Sequence, residues 1–198
     1  MQLYQNDQVL HQRLQEGITT RNNLSDDMKN IARPRFVNLA EACGKMLAGS
    51  QDTHGAMLEF GGWDTHNALV PRLETQFKEL DAGLAALCNE LAGEWQNTVV
   101  VIGTEFGRTA AVNGTRGTDH GTASAMFIAG GAIKGGRVMG EWPGLAKAQL
   151  YEGRDLRPTS DIRSWIAAVF AQHWGLNATQ LQDVFPDVAP VSDLLLRV

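Results

Sequence analysis

The sequence predicts an α/β fold, with a mostly parallel sheet flanked by helices, and three neighbouring segments carry that expectation. A short apolar run, Met57-Leu58-Glu59-Phe60, is stopped by Gly61-Gly62 and reads as a strand. Leu69, Leu73, Phe77, Leu80, Leu84, Leu87 and Leu91 then recur every three or four residues, while Arg72, Glu74, Lys78, Glu79 and Asp81 take the opposite face. That spacing keeps a single apolar stripe along one long helix. After Gly93, the expected stop, comes "TVVVIG" at residues 98–103. Such a β-branched run suits a strand buried on both faces of a parallel sheet. Strand, helix and strand make a βαβ unit, for which a right-handed crossover is expected.

The remaining elements follow from similar patterns. Residues 1–50 read as helices: Leu3, Leu10, Leu14 and Ile18 share one spacing, and Phe36, Leu39, Cys43 and Met46 resume it after Pro34. "TTRNNLSDD" is the polar break between them. "SAMFIAGG", residues 124–131, is a second strand, with further short strands at 137–140 and in "AQLYEGRDLRP". Thr159 or Ser160 caps a helix whose Ile162, Trp165, Ile166, Val169 and Phe170 form one face, and a last short helix lies near 179–184. With no internal repeat and no low-complexity segment, residues 1–198 read as a single domain.

Composition excludes several classes. The chain has 198 residues, 43% hydrophobic and 20% charged, enough for one sizeable core. A formal net charge of −5 and the lack of a basic stripe argue against a nucleic-acid partner. No window approaches the roughly 18 apolar residues of a membrane span, and the polar start "MQLYQNDQVLHQRLQEG" has no leader-like apolar region, so the compartment stays open. Cys43 and Cys88 lie in separate helical patterns and read as free thiols.

Polar residues gather at three strand ends. Asp64 and His66 follow the first strand, in "EFGGWDTH". Thr104, Glu105 and Arg108 follow the second, in "TEFGRT", and Asp119 and His120 precede the third, in "GTDHGT". Ligands of open α/β sheets bind beyond such strand ends. Two imidazoles and three carboxylates gathered there suit one or two divalent ions, zinc, manganese or calcium. Each loop also admits a simpler use. Asp64 can cap the next helix, Glu105 can pair with Arg108, and Asp119 can form an Asx-turn. The "DH" loop joins the others only if it folds back over the edge. Arg108, one turn past a buried strand, is shaped to neutralise a bound oxyanion. Arg116 and Lys134 read as solvated loop cations, and His11, His54 and His173 are assigned to no site.

"GGWDTH", "VVVIGTEFGRT", "NGTRGTDHG", "IAGGAIKGGRVMGEWP", "GRDLRPTSDIR" and "VFP" occur in an order that resembles domain-of-unknown-function family 1501 over residues 55–190. That family is sulfatase-related, within the alkaline-phosphatase-like superfamily. The resemblance implies two metal ions flanking a nucleophile that attacks sulfate or phosphate esters. Asp64, His66 and His120 resemble ligands of one of those ions. Glu105 stands where the Asp of an Asp-His pair is usual, but its neighbour is Phe106, so one second-ion ligand is absent or replaced, with Asp119 a candidate substitute. The family's "GGPS"-like nucleophile region has no counterpart before Met57, so the fold is expected to be incomplete at the amino end, a carboxyl-terminal half. The implied function is a metal-dependent hydrolase of small anionic esters, or the carboxyl-terminal half of one. The alternative is a non-catalytic binding or assembly module, as a homo-oligomer or with a missing amino-terminal half.

Overall fold

The computed structural model describes residues 35–50 and 52–197. The helices expected from Leu3, Leu10, Leu14 and Ile18, with the polar break after them, lie outside those residues. The described residues divide into two compact units. One holds 35–60 (Gln51 aside) and 77–92; the other holds 61–76 and 93–197.

The first unit is helical. Helix α1 spans Phe36–Gly49, and the later part of helix α2, Leu69–Leu91, belongs here. Both match the helical spacing of the sequence. Ala40, Cys43 and Gly44 are buried on α1, and Leu80, Gly83, Leu87 and Leu91 on α2. Gly83 permits a close approach: a Cβ there would meet the Phe36 ring at 2.5 Å. Arg35 pairs with the Glu79 carboxylate, which also accepts from the Val37 N–H at 3.3 Å. That contact satisfies one donor of the first turn of α1, which has no intrahelical acceptor. Helix α2 ends at Leu91, where Ala92 takes a left-handed φ of 47° and a 3-10 turn, Ala92–Asn97, follows. Gly93, the expected stop, is one residue late. Cys43 and Cys88 are both free thiols.

The second unit corrects the predicted fold class. The mostly parallel, helix-flanked sheet does not form; the described residues are helix-rich, with four short strands in two separate antiparallel pairs. Strand β1, Val100–Ile102, pairs with β4, Phe127–Ala129, in the register Val100↔Ala129, Val101↔Ile128 and Ile102↔Phe127. Strand β2, Gly107–Arg108, pairs with β3, His120–Gly121. Residues 57–60 form no ladder, and Met57 is 95% exposed, so the βαβ unit lacks its first strand. The physical reason lies in β1. A β-branched run fits a strand covered on one face as well as one covered on both, and it carries no mark of direction. Here β1 is only partly buried, packing Val99 and Val101, with Ile128 of β4, against Ala168, Val169 and Leu195.

Helix α3, Ile162–Trp174, supplies Ala168 and Val169 to that core and also buries Ala167. Its N-cap is Asp161, whose carboxylate accepts from the Arg163 N–H at 2.8 Å, and not Thr159 or Ser160. Helix α4, Ala178–Val184, is capped by Asn177 and buries Leu181. The strand expected at 137–140 is absent from the described residues, and "AQLYEGRDLRP" forms a 3-10 turn and an isolated bridge between Tyr151 and Asp155. No described helix is long and apolar enough to cross a membrane.

Candidate metal centre

Antiparallel pairing explains how distant residues meet. Strand β1 leaves its ladder at Ile102 and β4 re-enters opposite it at Phe127, so residues 103–126 depart from and return to the same edge. That excursion is folded on itself by the β2–β3 pair, which sets Arg108 opposite His120. The "DH" loop is thus brought back by an antiparallel pair, and not over the edge of a parallel sheet as the sequence reading had it. A second loop, residues 61–68, precedes α2 and carries Asp64 and His66.

The two loops are stitched together by backbone bonds. Ala68 N–H donates to Thr115 O at 3.1 Å and Leu69 N–H to Arg116 O at 3.0 Å. These carbonyls occupy donors at the start of α2 that have no acceptor within the helix. Gly117 is needed for the approach: a Cβ there would meet His66 O at 2.2 Å. Arg108 ties the same loops from the other side. Its guanidinium donates to Thr118 O at 2.9 Å, to Trp63 O, and to the buried Thr65 hydroxyl at 3.3 Å.

At this junction the Asp64 carboxylate lies between two imidazoles. His120 Nε2 is 2.7 Å and His66 Nε2 2.9 Å from the same oxygen, Asp64 Oδ1. One donor atom from each of Asp64, His66 and His120 lies within 4.8 Å of the others, and all three side chains are exposed. Asp119 approaches from elsewhere, its Oδ1 3.3 Å from His66 Nδ1. Glu105 is not brought into the set; its carboxylate accepts from the Thr104 hydroxyl at 3.4 Å. Phe106 stacks on His120, with ring centroids 4.3 Å apart and planes 11° from parallel, and Arg108 Cζ sits 5.0 Å from the Phe106 ring centre. The residue that breaks the expected Asp-His pair thus becomes a wall for one histidine.

Charge balance keeps the carboxylates ionised. The hydrogen bond with His120, ahead of the nearby His66 and Arg108 side chains, holds the Asp64 carboxyl below its usual range. The Asn113 amide, then His66, does the same for Asp119. Ionised oxygen and imidazole nitrogen are the forms that ligate cations. Sequence reasoning missed Asn113 and Thr115. Both reach the His66 carbonyl, at 2.9 Å and 2.7 Å, but "NGT" reads only as a turn.

Among the described residues, the exposed Asp64, His66 and His120, presented by two loops, bring their donor atoms close enough together to hold a metal ion. The family model described as "Protein of unknown function (DUF1501)" matches residues 5–185, and the chain belongs to that family. No match is found among curated proteins or among solved structures.

Proposed function

We propose that the chain is a metal-dependent hydrolase of sulfate or phosphate esters, with Asp64, His66 and His120 holding the ion. The convergence of these donors from loops more than fifty positions apart in the chain carries the reading. The resemblance of the motif order to a sulfatase-related family, drawn from the sequence, suggests the substrate class.

The donor set fits such an ion. Bonds of about 2.0–2.2 Å to a tetrahedral cation keep ligand atoms about 3.4 Å apart, so the contacts at Asp64 open by roughly half an ångström. Exposed side chains make that adjustment without disturbing a core. Two imidazole nitrogens and one carboxylate oxygen favour zinc or manganese over calcium, which prefers all-oxygen sites. Three protein ligands leave further positions open to water or substrate. When bound, the ion supplies polarisation of an ester oxygen and a lowered pKa for coordinated water. Of the five guanidinium N–H groups of Arg108, three serve the loops; the other two are the donors that meet a sulfate or phosphate oxygen.

One observation favours the second reading, a binding module without catalysis. Arg108 is engaged by the loops and Glu105 stands outside the cluster, so few groups are left to act on a substrate.

The test is metal content after dialysis, for the wild type and for a His66→Ala/His120→Ala double variant, followed by assay against aryl sulfate and aryl phosphate esters. Near one zinc or manganese per chain, lost in the variant, with metal-dependent turnover, is the expected result. Metal without turnover favours the binding module. A wild type that retains no metal and hydrolyses neither ester refutes both metal-based readings.

A further inference from the structure

We infer that Asp119 is a positioning residue that orients His66 and does not itself ligate the ion; this rests on the metal-site reading above. Imidazole offers its two nitrogens in divergent directions. Asp64 meets His66 at Nε2 and Asp119 meets it at Nδ1, 3.3 Å away. Asp119 therefore sits on the opposite side of the ring from the converging donors, and it is not one of the three groups that come within 4.8 Å of one another. With an ion between Asp64 and His66, an Nδ1–H donated to Asp119 leaves the Nε2 lone pair to face that ion. A metal-bound histidine commonly gives its second N–H to a carboxylate, which fixes tautomer and ring orientation.

Asn113 fixes Asp119 in turn, and its own orientation is unambiguous. Its Oδ1 accepts from two backbone donors, Thr115 N–H and Gly117 N–H, both at 3.0 Å. Its Nδ2 must then donate, and it does so to two acceptors, Asp119 Oδ1 at 3.1 Å and His66 O at 2.9 Å. One amide thus holds the His66 backbone and the carboxylate behind its ring. Thr115 adds a hydroxyl bond to the same carbonyl at 2.7 Å. The Asp119 backbone is pinned independently: its N–H donates to the Thr109 hydroxyl at 3.1 Å and its carbonyl accepts from Thr109 N–H at 3.0 Å. Removal of the side chain therefore leaves the loop path supported.

The experiment measures zinc and cobalt(II) affinity by competition with a chelator for the wild type, Asp119→Ala, Asp119→Asn and Asp64→Ala. Thermal unfolding of each metal-free chain checks that it folds. Nitrogen-15 spectra of the imidazoles report the His66 tautomer. The expected outcome is a loss of about 10- to 100-fold in Asp119→Ala, with partial rescue in Asp119→Asn, whose amide oxygen still accepts. In the zinc-loaded wild type the His66 Nδ1–H should show the nitrogen-15 and proton shifts of a hydrogen bond to a carboxylate and lose them in Asp119→Ala, and Asp64→Ala should bind far more weakly than either Asp119 variant. Wild-type affinity in Asp119→Ala overturns the inference while the metal site stands. So does abolition of binding in both Asp119 variants to the level of Asp64→Ala, which makes Asp119 a ligand. A wild type that binds neither ion overturns the metal-site reading, and this role with it.

Discussion

Asp155 shows what a single side chain does for the loops without belonging to the Asp64–His66–His120 cluster. It is 3% exposed, and its carboxylate accepts from Arg154 Nε at 2.7 Å and from the Thr122 hydroxyl at 2.9 Å. Thr122 lies just beyond β3, and the Asp155 backbone bridges to Thr109, just beyond β2. Asp155→Ala leaves these donors without their acceptor, and urea unfolding should register a loss of about 2 kcal/mol. The hydrogen bond from Arg154, then that from Thr122, holds the Asp155 carboxyl below its ordinary range. A depressed carboxylate adds stability above its unfolded pKa, about 3.9. That stability is lost as pH falls through the lower native value. Stability should thus decline below about pH 4, and Asp155→Asn should flatten that acid limb in a pH series of unfolding curves. An unchanged acid limb counts against the assignment. At this scale the sequence was partly legible. Asp64, His66 and His120 stood out because Asp-x-His and Asp-His pairs carry ligand chemistry in their residue types. Asn113 and Asp155 did not, since an Asn-Gly turn and an Arg-Asp pair look the same whether idle or structural.

Among the elements, the close seam between the loops is the sharpest dependence. In Gly117→Ala the new methyl meets backbone at His66 and Asn67, neither of which can swing aside as a side chain can. The expected effect is a destabilisation of about 1–3 kcal/mol from overpacking and a drop in zinc affinity, because the strain falls on His66. Equal zinc affinity in the variant and the wild type contradicts the seam as drawn. Helices were the legible elements. Helix α2 follows its Leu stripe from Leu69 to Leu91, and α3 shows the Trp165–Val169 periodicity, because a 3.6-residue period is written locally. Strand partners are not written locally. "TVVVIG" and "SAMFIAGG" both gave strands, but their antiparallel pairing depends on how residues 103–126 return, and that return is fixed by bonds to residues far away in the sequence, such as Arg108 to Trp63 O and Asn113 to His66 O.

At the scale of the molecule, sheet structure among the described residues is too slight to be the scaffold. Two-stranded pairs are marginal without packing, and β2–β3 is only two residues on each strand. Within the second unit, rigidity centres on Ala168, Val169 and Leu195 with the residues packed on them. Native-state hydrogen exchange should therefore find the amides of Ala167–Val169 slowest in that unit, and those of β2 and β3 faster by roughly a hundredfold or more. Comparable protection in β2–β3 and α3 would mean that the loops form part of the core. Fold class was the least legible property, because it depends on how strands associate across the chain, and neither run names its partner.

The pairing of Ile102 with Phe127 has a consequence for how such a protein can change over generations. Directly opposed residues of an antiparallel ladder have Cα atoms about 5 Å apart, so the two ends of residues 103–126 already stand at the separation of an ordinary hairpin. Everything that Arg108, Asp119 and His120 contribute is contained in a cassette whose attachment points do not depend on its length. Mutation can lengthen or shorten that cassette away from its ties to residues 61–69 and 154–155 while the strands that hold it stay closed. Chemistry at this edge is thus free to diverge faster than the framework beneath it.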